Sequence, residues 1–147
     1  MNIAVGSDHA GFHLKEQLIE YLIQLGHEIM DTGVSSPTRC DYPDYAKKVC
    51  TKVQSNEADW GLLICGTGIG MSMAANKHKG IRAAVVSDSF CAAATRNHND
   101  ANVLCLGERV IGVGIARQII DSWLASSFEG GRHAARVAKF MSTETEV

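Results

Sequence analysis

The segment Leu62-Leu63-Ile64-Cys65-Gly66-Thr67-Gly68-Ile69-Gly70-Met71-Ser72 runs a short apolar strand into a thiol, then into alternating glycines that open a helix. A helix start presents unpaired backbone N–H groups and the positive end of the helix dipole, and glycines let a ligand's oxygens approach that backbone closely. The same field stabilises negative charge on a neighbouring sulfur. A base that moves a proton, beside donors that hold an oxyanion, is what enolisation next to a carbonyl requires. A lone Cys is more often a small buried hydrophobe, but the glycine context favours the reactive reading.

Nucleotide chemistry fits poorly. Asp88 lies about twenty residues beyond Gly68, as in a dinucleotide fingerprint, yet Met71 stands where that motif needs its third glycine. No Lys-Ser or Lys-Thr follows the glycines as a P-loop requires. Asp8, His9 and His13 raise a metal site, but no third ligand stands at a diagnostic spacing, and Asp8 reads as a helix cap. His98-Asn99-Asp100 reads as a loop between a helix and a strand, with His98 suited to handling a sugar hydroxyl's proton. Arg132 and Arg136 share a helical face with Lys139 one turn on. Such a face is by default a solvated basic surface, and functionally a clamp for a dianionic phosphate, which the guanidinium fork suits.

Positioning these residues requires a layered fold. Apolar runs alternate with amphipathic stretches, the pattern of a parallel sheet covered by helices, which predicts a three-layer α/β/α sandwich with a Rossmann-like five-stranded sheet. Strands are expected at Asn2 to Gly6, Glu28 to Asp31, Trp60 to Ile64, Arg82 to Val86 and Ala101 to Leu106. Helices are expected at Gly11 to Leu25, Asp44 to Gln54, Gly70 to Lys77, Phe90 to Arg96 and Val113 to Ala125, with a loop from Gly33 to Pro43. Ligands of open parallel sheets bind beyond the carboxyl ends of the strands. Ser7-Asp8-His9, Cys65-Gly66-Thr67, Ser87-Asp88 and Gly107-Glu108-Arg109 would converge there.

At 147 residues and 46% hydrophobic, the chain fits one domain, residues 1–147, with 128–147 as a helical tail. A formal charge of −2 gives no general surface for nucleic acid or anionic membrane. The five cysteines are odd in number, lack a Cys-x-x-Cys pair and read as reduced thiols. The N-terminal apolar run is too short for a signal peptide or a membrane span, so the expectation is a cytoplasmic protein.

The blocks Ser7-Asp8-His9-Ala10-Gly11, Asp41-Tyr42-Pro43, Ile64 to Gly70, Arg96 to Asn102, Gly107 to Gly112 and Phe128 to His133 resemble, in the same order, the ribose-5-phosphate isomerase B family, which includes the galactose-6-phosphate isomerase subunits. The resemblance covers nearly the whole chain. It implies an aldose–ketose isomerase of the non-oxidative pentose phosphate pathway, with a phosphorylated sugar as substrate and no metal or organic cofactor. Cys65 would be the base that moves a proton between C1 and C2. Some members use a carboxylate instead, where this chain has Ile69, Gly70 and Met71. Thr67 and the amides of Gly66, Gly68, Ile69 and Gly70 would hold the enediolate, and Asp8 and His98 would open the furanose ring. His9, Arg109, Arg132 and Arg136 match phosphate binders, while Asn99 and Tyr42 match sugar contacts. Ser7 stands where some relatives have Cys, which touches none of these roles. The resemblance also implies a homodimer or a dimer of dimers, with His98, Asn99 and the arginines donated by a neighbour on which the tail packs. A hexose 6-phosphate isomerase acting on allose or galactose 6-phosphate, a metal-dependent enzyme and a non-catalytic sugar-phosphate module are the alternatives.

Overall fold

A computed structural model of the chain describes residues 1–145. Along it run β1 (Asn2–Ser7), a 3-10 turn (His9–Gly11), α1 (Phe12–Gln24), β2 (Glu28–Asp31), α2 (Tyr42–Gln54), β3 (Trp60–Cys65), α3 (Ile69–Ala75), β4 (Ala83–Val85), α4 (Ser89–Asn99), β5 (Val103–Gly107), α5 (Val113–Leu124), α6 (Arg132–Ser142) and a last 3-10 turn (Thr143–Thr145). The five strands form one sheet in the order β2-β1-β3-β5-β4, and every pairing is parallel. Among the described residues, no helix is long and apolar enough to cross a membrane.

Period-two alternation along the strands decides which helix lies on which face. Ile3, Val5, Leu62, Ile64, Leu104 and Leu106 pack with α1, α4 and α5. Ala4, Leu63, Cys65, Val103 and Cys105 point the other way, onto α2 and α3. The result is the expected three-layer sandwich. Leu14, Leu18 and Leu22 recur every fourth residue and bury one stripe of α1, each adding about 1.5–3 kcal/mol of apolar burial.

Strand order creates the crevice. From β1 the chain crosses to β2 on one side, and from β3 it crosses toward β4 and β5 on the other, while β1 and β3 themselves pair at Ser7 and Ile64. A gap therefore opens between the carboxyl ends of β1 and β3, where a ligand finds both chain ends and helix starts.

Most boundaries shift by a residue or two from the sequence reading, and three of the differences have a physical cause or a consequence for the site. α2 begins at Tyr42 rather than Asp44, because Pro43 fits the first helical turn, where its missing N–H costs nothing. β4 is confined to Ala83–Val85. α4 runs on to Asn99, so His98 and Asn99 belong to its last turn rather than to a loop, and Asp100 ends it in the left-handed conformation at φ +47°. That end is anchored by buried Arg96, which donates to the Ala101 carbonyl at 2.6 Å and lies over the Trp60 and Trp123 rings.

The tail is tied to its own domain. Gly130 and Gly131, both at positive φ, turn the chain into α6, the Glu129 N–H donates to the Asn97 carbonyl, and Glu144 accepts from the Gly80 N–H. Residues 146 and 147 of the expected tail lie outside the described residues.

Candidate active site

Cys65 ends β3 on the α2/α3 face, with 5% of its surface exposed. Gly68, at φ +78°, turns the chain so that its N–H donates to Cys65 Sγ at 3.0 Å. Thr67 Oγ1 accepts from the Ile69 N–H at 3.2 Å. The first intrahelical bond of α3 runs from Ser72 N to Gly68 O, so the N–H groups of Gly70 and Met71 lie in the open first turn. Gly68 and Ile69 spend their N–H groups within the loop, which leaves those of Gly66 and Gly70, with Met71 beside them, as oxyanion donors.

Close packing fixes this loop. A Cβ on Gly107 would lie 2.6 Å from the Thr67 carbonyl carbon, and one on Gly70 would lie 2.9 Å from Tyr42 Cζ. Only glycine lets β5 and the Tyr42 ring approach so closely. The Arg109 N–H donates to the Gly66 carbonyl, and its guanidinium Nη1 lies 3.4 Å from where a Gly66 Cβ would stand. Arg109 therefore reaches the Cys65 loop within its own chain.

Across the crevice, Asp8 is buried and its Oδ1 accepts from the N–H groups of Ala10 and Gly11 at 2.9 and 3.2 Å. This is the cap foreseen in the sequence, and both bonds fall on one oxygen, leaving Oδ2 for a ligand. Gly11 presses that turn onto β3: a Cβ there would lie 2.5 Å from the Ile64 carbonyl oxygen. His9 Nδ1 lies 3.4 Å from the Cys40 N–H, which leaves Nε2 as the ring nitrogen free to meet a ligand. The sequence placed Glu108 at this edge without a role; its Oε2 accepts from the Leu14 N–H at 2.8 Å and straps the end of β5 to the first turn of α1.

The remaining candidates stand elsewhere. α4 starts beyond the carboxyl end of β4 and returns toward the start of β5, so its eleven residues carry His98 and Asn99 about 16 Å back from the Cys65 edge of the sheet. The Glu129–Asn97 bond holds the start of α6, with Arg132, beside that turn, and Arg136 follows one turn on. One chain thus assembles Asp8, His9, Tyr42, Cys65, Thr67 and Arg109 at one end of the sheet and His98, Asn99 and Arg132 toward the other.

At that second place His133, buried in α6, stacks on His98 with ring centroids 4.4 Å apart and planes 12° from parallel. Glu129 joins them, and ligand atoms of the three lie within 4.8 Å of one another. An ion bound by one imidazole lies in that ring's plane, so two parallel, stacked rings do not converge on a single ion. Burial, followed by the neighbouring His98 and Arg132, holds the His133 pKa below the usual histidine range.

A parallel α/β domain whose topological switch point holds a thiol, a capped carboxylate, an imidazole and an open helix start is built for proton transfer on a small anion. The model of the Ribose/Galactose Isomerase family matches residues 3–140. Ribose-5-phosphate isomerase B of Escherichia coli (strain K12) is 49% identical over 142 residues, covering 97% of this chain and 95% of that protein. The structure superposes on Clostridium thermocellum ribose-5-phosphate isomerase B with a TM-score of 0.98 at 49% identity, covering 99% of each chain. It superposes on ribose-5-phosphate isomerase B of Mycoplasma genitalium, solved with bound ribulose-5-phosphate, with a TM-score of 0.95 at 43% identity, covering 99% of this chain and 97% of that one. The chain belongs to the ribose/galactose isomerase family.

Proposed function

We propose that the protein interconverts ribose 5-phosphate and ribulose 5-phosphate through an enediolate, as a step of the non-oxidative pentose phosphate pathway, at sites shared between two copies of the chain. Asp8 Oδ1 already accepts two amide protons, which suits the carboxylate to the base's part in ring opening. Asp8 takes the proton of the anomeric hydroxyl while His98 of the second copy gives one to the ring oxygen, and the C1 to ring-oxygen bond breaks. Cys65, as thiolate, removes the C2 proton, and the electron pair moves onto the carbonyl oxygen. The N–H groups of Gly66, Gly70 and Met71, with the Thr67 hydroxyl, hold that oxyanion. The proton held by Cys65 returns at C1 while the O2 proton passes to O1, which leaves C2 as the carbonyl and C1 as the hydroxymethyl of the ketose. His9 and Arg109 from one copy, with Arg132 and Arg136 from the other, take the phosphate, and Tyr42 and Asn99 meet the sugar.

The observation that carries this reading is the buried Cys65 sulfur, 3.0 Å from the Gly68 N–H directly below the open turn of α3. The test is turnover of ribose 5-phosphate beside allose 6-phosphate and galactose 6-phosphate in chelator-treated buffer, for the native protein and Cys65→Ala. Ribose 5-phosphate should be preferred, and the variant should lose about 100- to 10,000-fold in rate while keeping its fold. Preference for a hexose phosphate would move the substrate, and near-native turnover by folded Cys65→Ala would remove the base.

A further inference from the structure

We propose that His133 is the positioning residue for His98, holding its imidazole by a flat stack that fixes it to the same helix start that carries Arg132 and Arg136. The inference rests on the reading above, in which His98 opens the sugar ring. His98 sits on the last turn of α4, where a side chain has few neighbours of its own helix to restrain it. The face of the ring is covered instead by His133, at 4.4 Å and 12°, from a residue that is itself 93% buried. That platform is rigid for identifiable reasons. The Gly130 and Gly131 turn, at φ +66° and +55°, aims the first residues of α6 at α4, and the Glu129 N–H to Asn97 carbonyl bond pins the two helix ends together.

The ring's chemistry is consistent with a platform rather than a proton carrier. Its Nε2 is buried without a hydrogen-bond partner, and Glu129 Oε2 stands 3.6 Å away, beyond bonding distance. Burial, followed by the neighbouring His98 and Arg132, disfavours a charged His133 ring, which suits it to a supporting rather than a proton-carrying part. A buried imidazole with no bond at Nε2 is an expensive way to fill space. What it supplies is a flat polarisable face, and because Arg132 precedes it in the chain, the same contact sets the distance between ring-opening group and phosphate clamp.

Substitution separates the face from the protonation. Phenylalanine keeps the face and loses no hydrogen bond, whereas leucine keeps apolar volume and loses the face. His133→Leu should lower kcat/KM for ribose 5-phosphate by about ten- to a hundredfold, the scale of a misplaced catalytic group. His133→Phe should recover most of it. In a His98→Asn background, His133→Leu should cost less than twofold more, since a residue acting through another is silent once that partner is gone. Folding of each variant is checked by circular dichroism and thermal melting. Equal losses in the Phe and Leu variants, native rates in both, or an unchanged cost of His133→Leu in the His98→Asn background would each overturn the proposal. Failure of the native protein to turn over ribose 5-phosphate would instead refute the functional reading on which it stands.

Discussion

Gly107→Ala places one methyl group where β5 meets the Cys65 loop, and its consequences can be worked from distances. The new Cβ would lie 2.6–2.7 Å from three backbone atoms of Thr67, against the 3.4 Å or more of ordinary contact. No side chain can turn aside, so Thr67 must withdraw by the better part of an ångström. Overpacking of this kind costs about 1–3 kcal/mol, which for a chain of this size lowers Tm by roughly 2–12 °C. The displaced segment carries the Thr67 hydroxyl and the Gly68 N–H that holds Cys65 Sγ. A displacement approaching 1 Å at reacting groups costs about a hundredfold in rate. Gly114→Ala is the control: a Cβ there meets nothing within 4 Å, and in the first turns of α5 it should stabilise by about 0.5–1 kcal/mol with native activity. Differential scanning calorimetry and steady-state kinetics on both variants decide the matter. An unchanged Tm and full turnover in Gly107→Ala would refute the claim that this contact sets the site.

Thr67→Ala should lower kcat by about a hundredfold or more with little change in inhibitor binding, because its hydroxyl acts on the enediolate; equal losses in both would make it a ground-state contact. Arg132→Ala and Arg136→Ala should each raise KM for the phosphorylated sugar by the equivalent of about 1.5–3 kcal/mol, and unchanged binding in both would return α6 to a solvated basic face. Burial pushes the Cys50 thiol up to about 12 and the Cys105 thiol well above its usual range. Both should therefore stay protonated and unmodified by iodoacetamide in the native protein at pH 8, while exposed Cys91 and half-buried Cys40 react. Mass spectrometry of partially alkylated protein reads this directly, and labelling of Cys50 as fast as Cys91 would contradict it.

The strand-and-helix pattern was legible because β1, β3 and β5, buried on both faces, read as short unbroken apolar runs, and helices such as α1 keep an apolar stripe at helical spacing. What the pattern lacks is order: nothing in the residues of β4 says that β5 will insert between it and β3, since strand pairing depends on how the crossovers pack. Asp8 as a cap, Cys65 at a strand end and a helix start inside the glycine loop each follow from local chemistry, so they could be read residue by residue, the helix start to within one residue. Arg109 against Gly66, the His98–His133 stack and the Glu108 strap to α1 join residues distant in sequence, and local rules carry no information about them. The last turn of α4 was missed for a smaller reason: Asp100 caps it from the left-handed region, a conformation that Asp adopts only occasionally.

The most direct test of the account mixes two inactive variants. Cys65→Ala removes the base from the β3 end, and His98→Asn removes the acid from the far end of α4. If each site draws on two chains, every hybrid dimer carries one site with both lesions and one with neither. Statistical exchange makes about half of the dimers hybrid, so roughly a quarter of native ribose 5-phosphate turnover should return. Subunit exchange is verified independently by native mass spectrometry of a mass-tagged pair. Recovery near that level is the predicted result, and none after verified exchange would show that each site is built within a single chain.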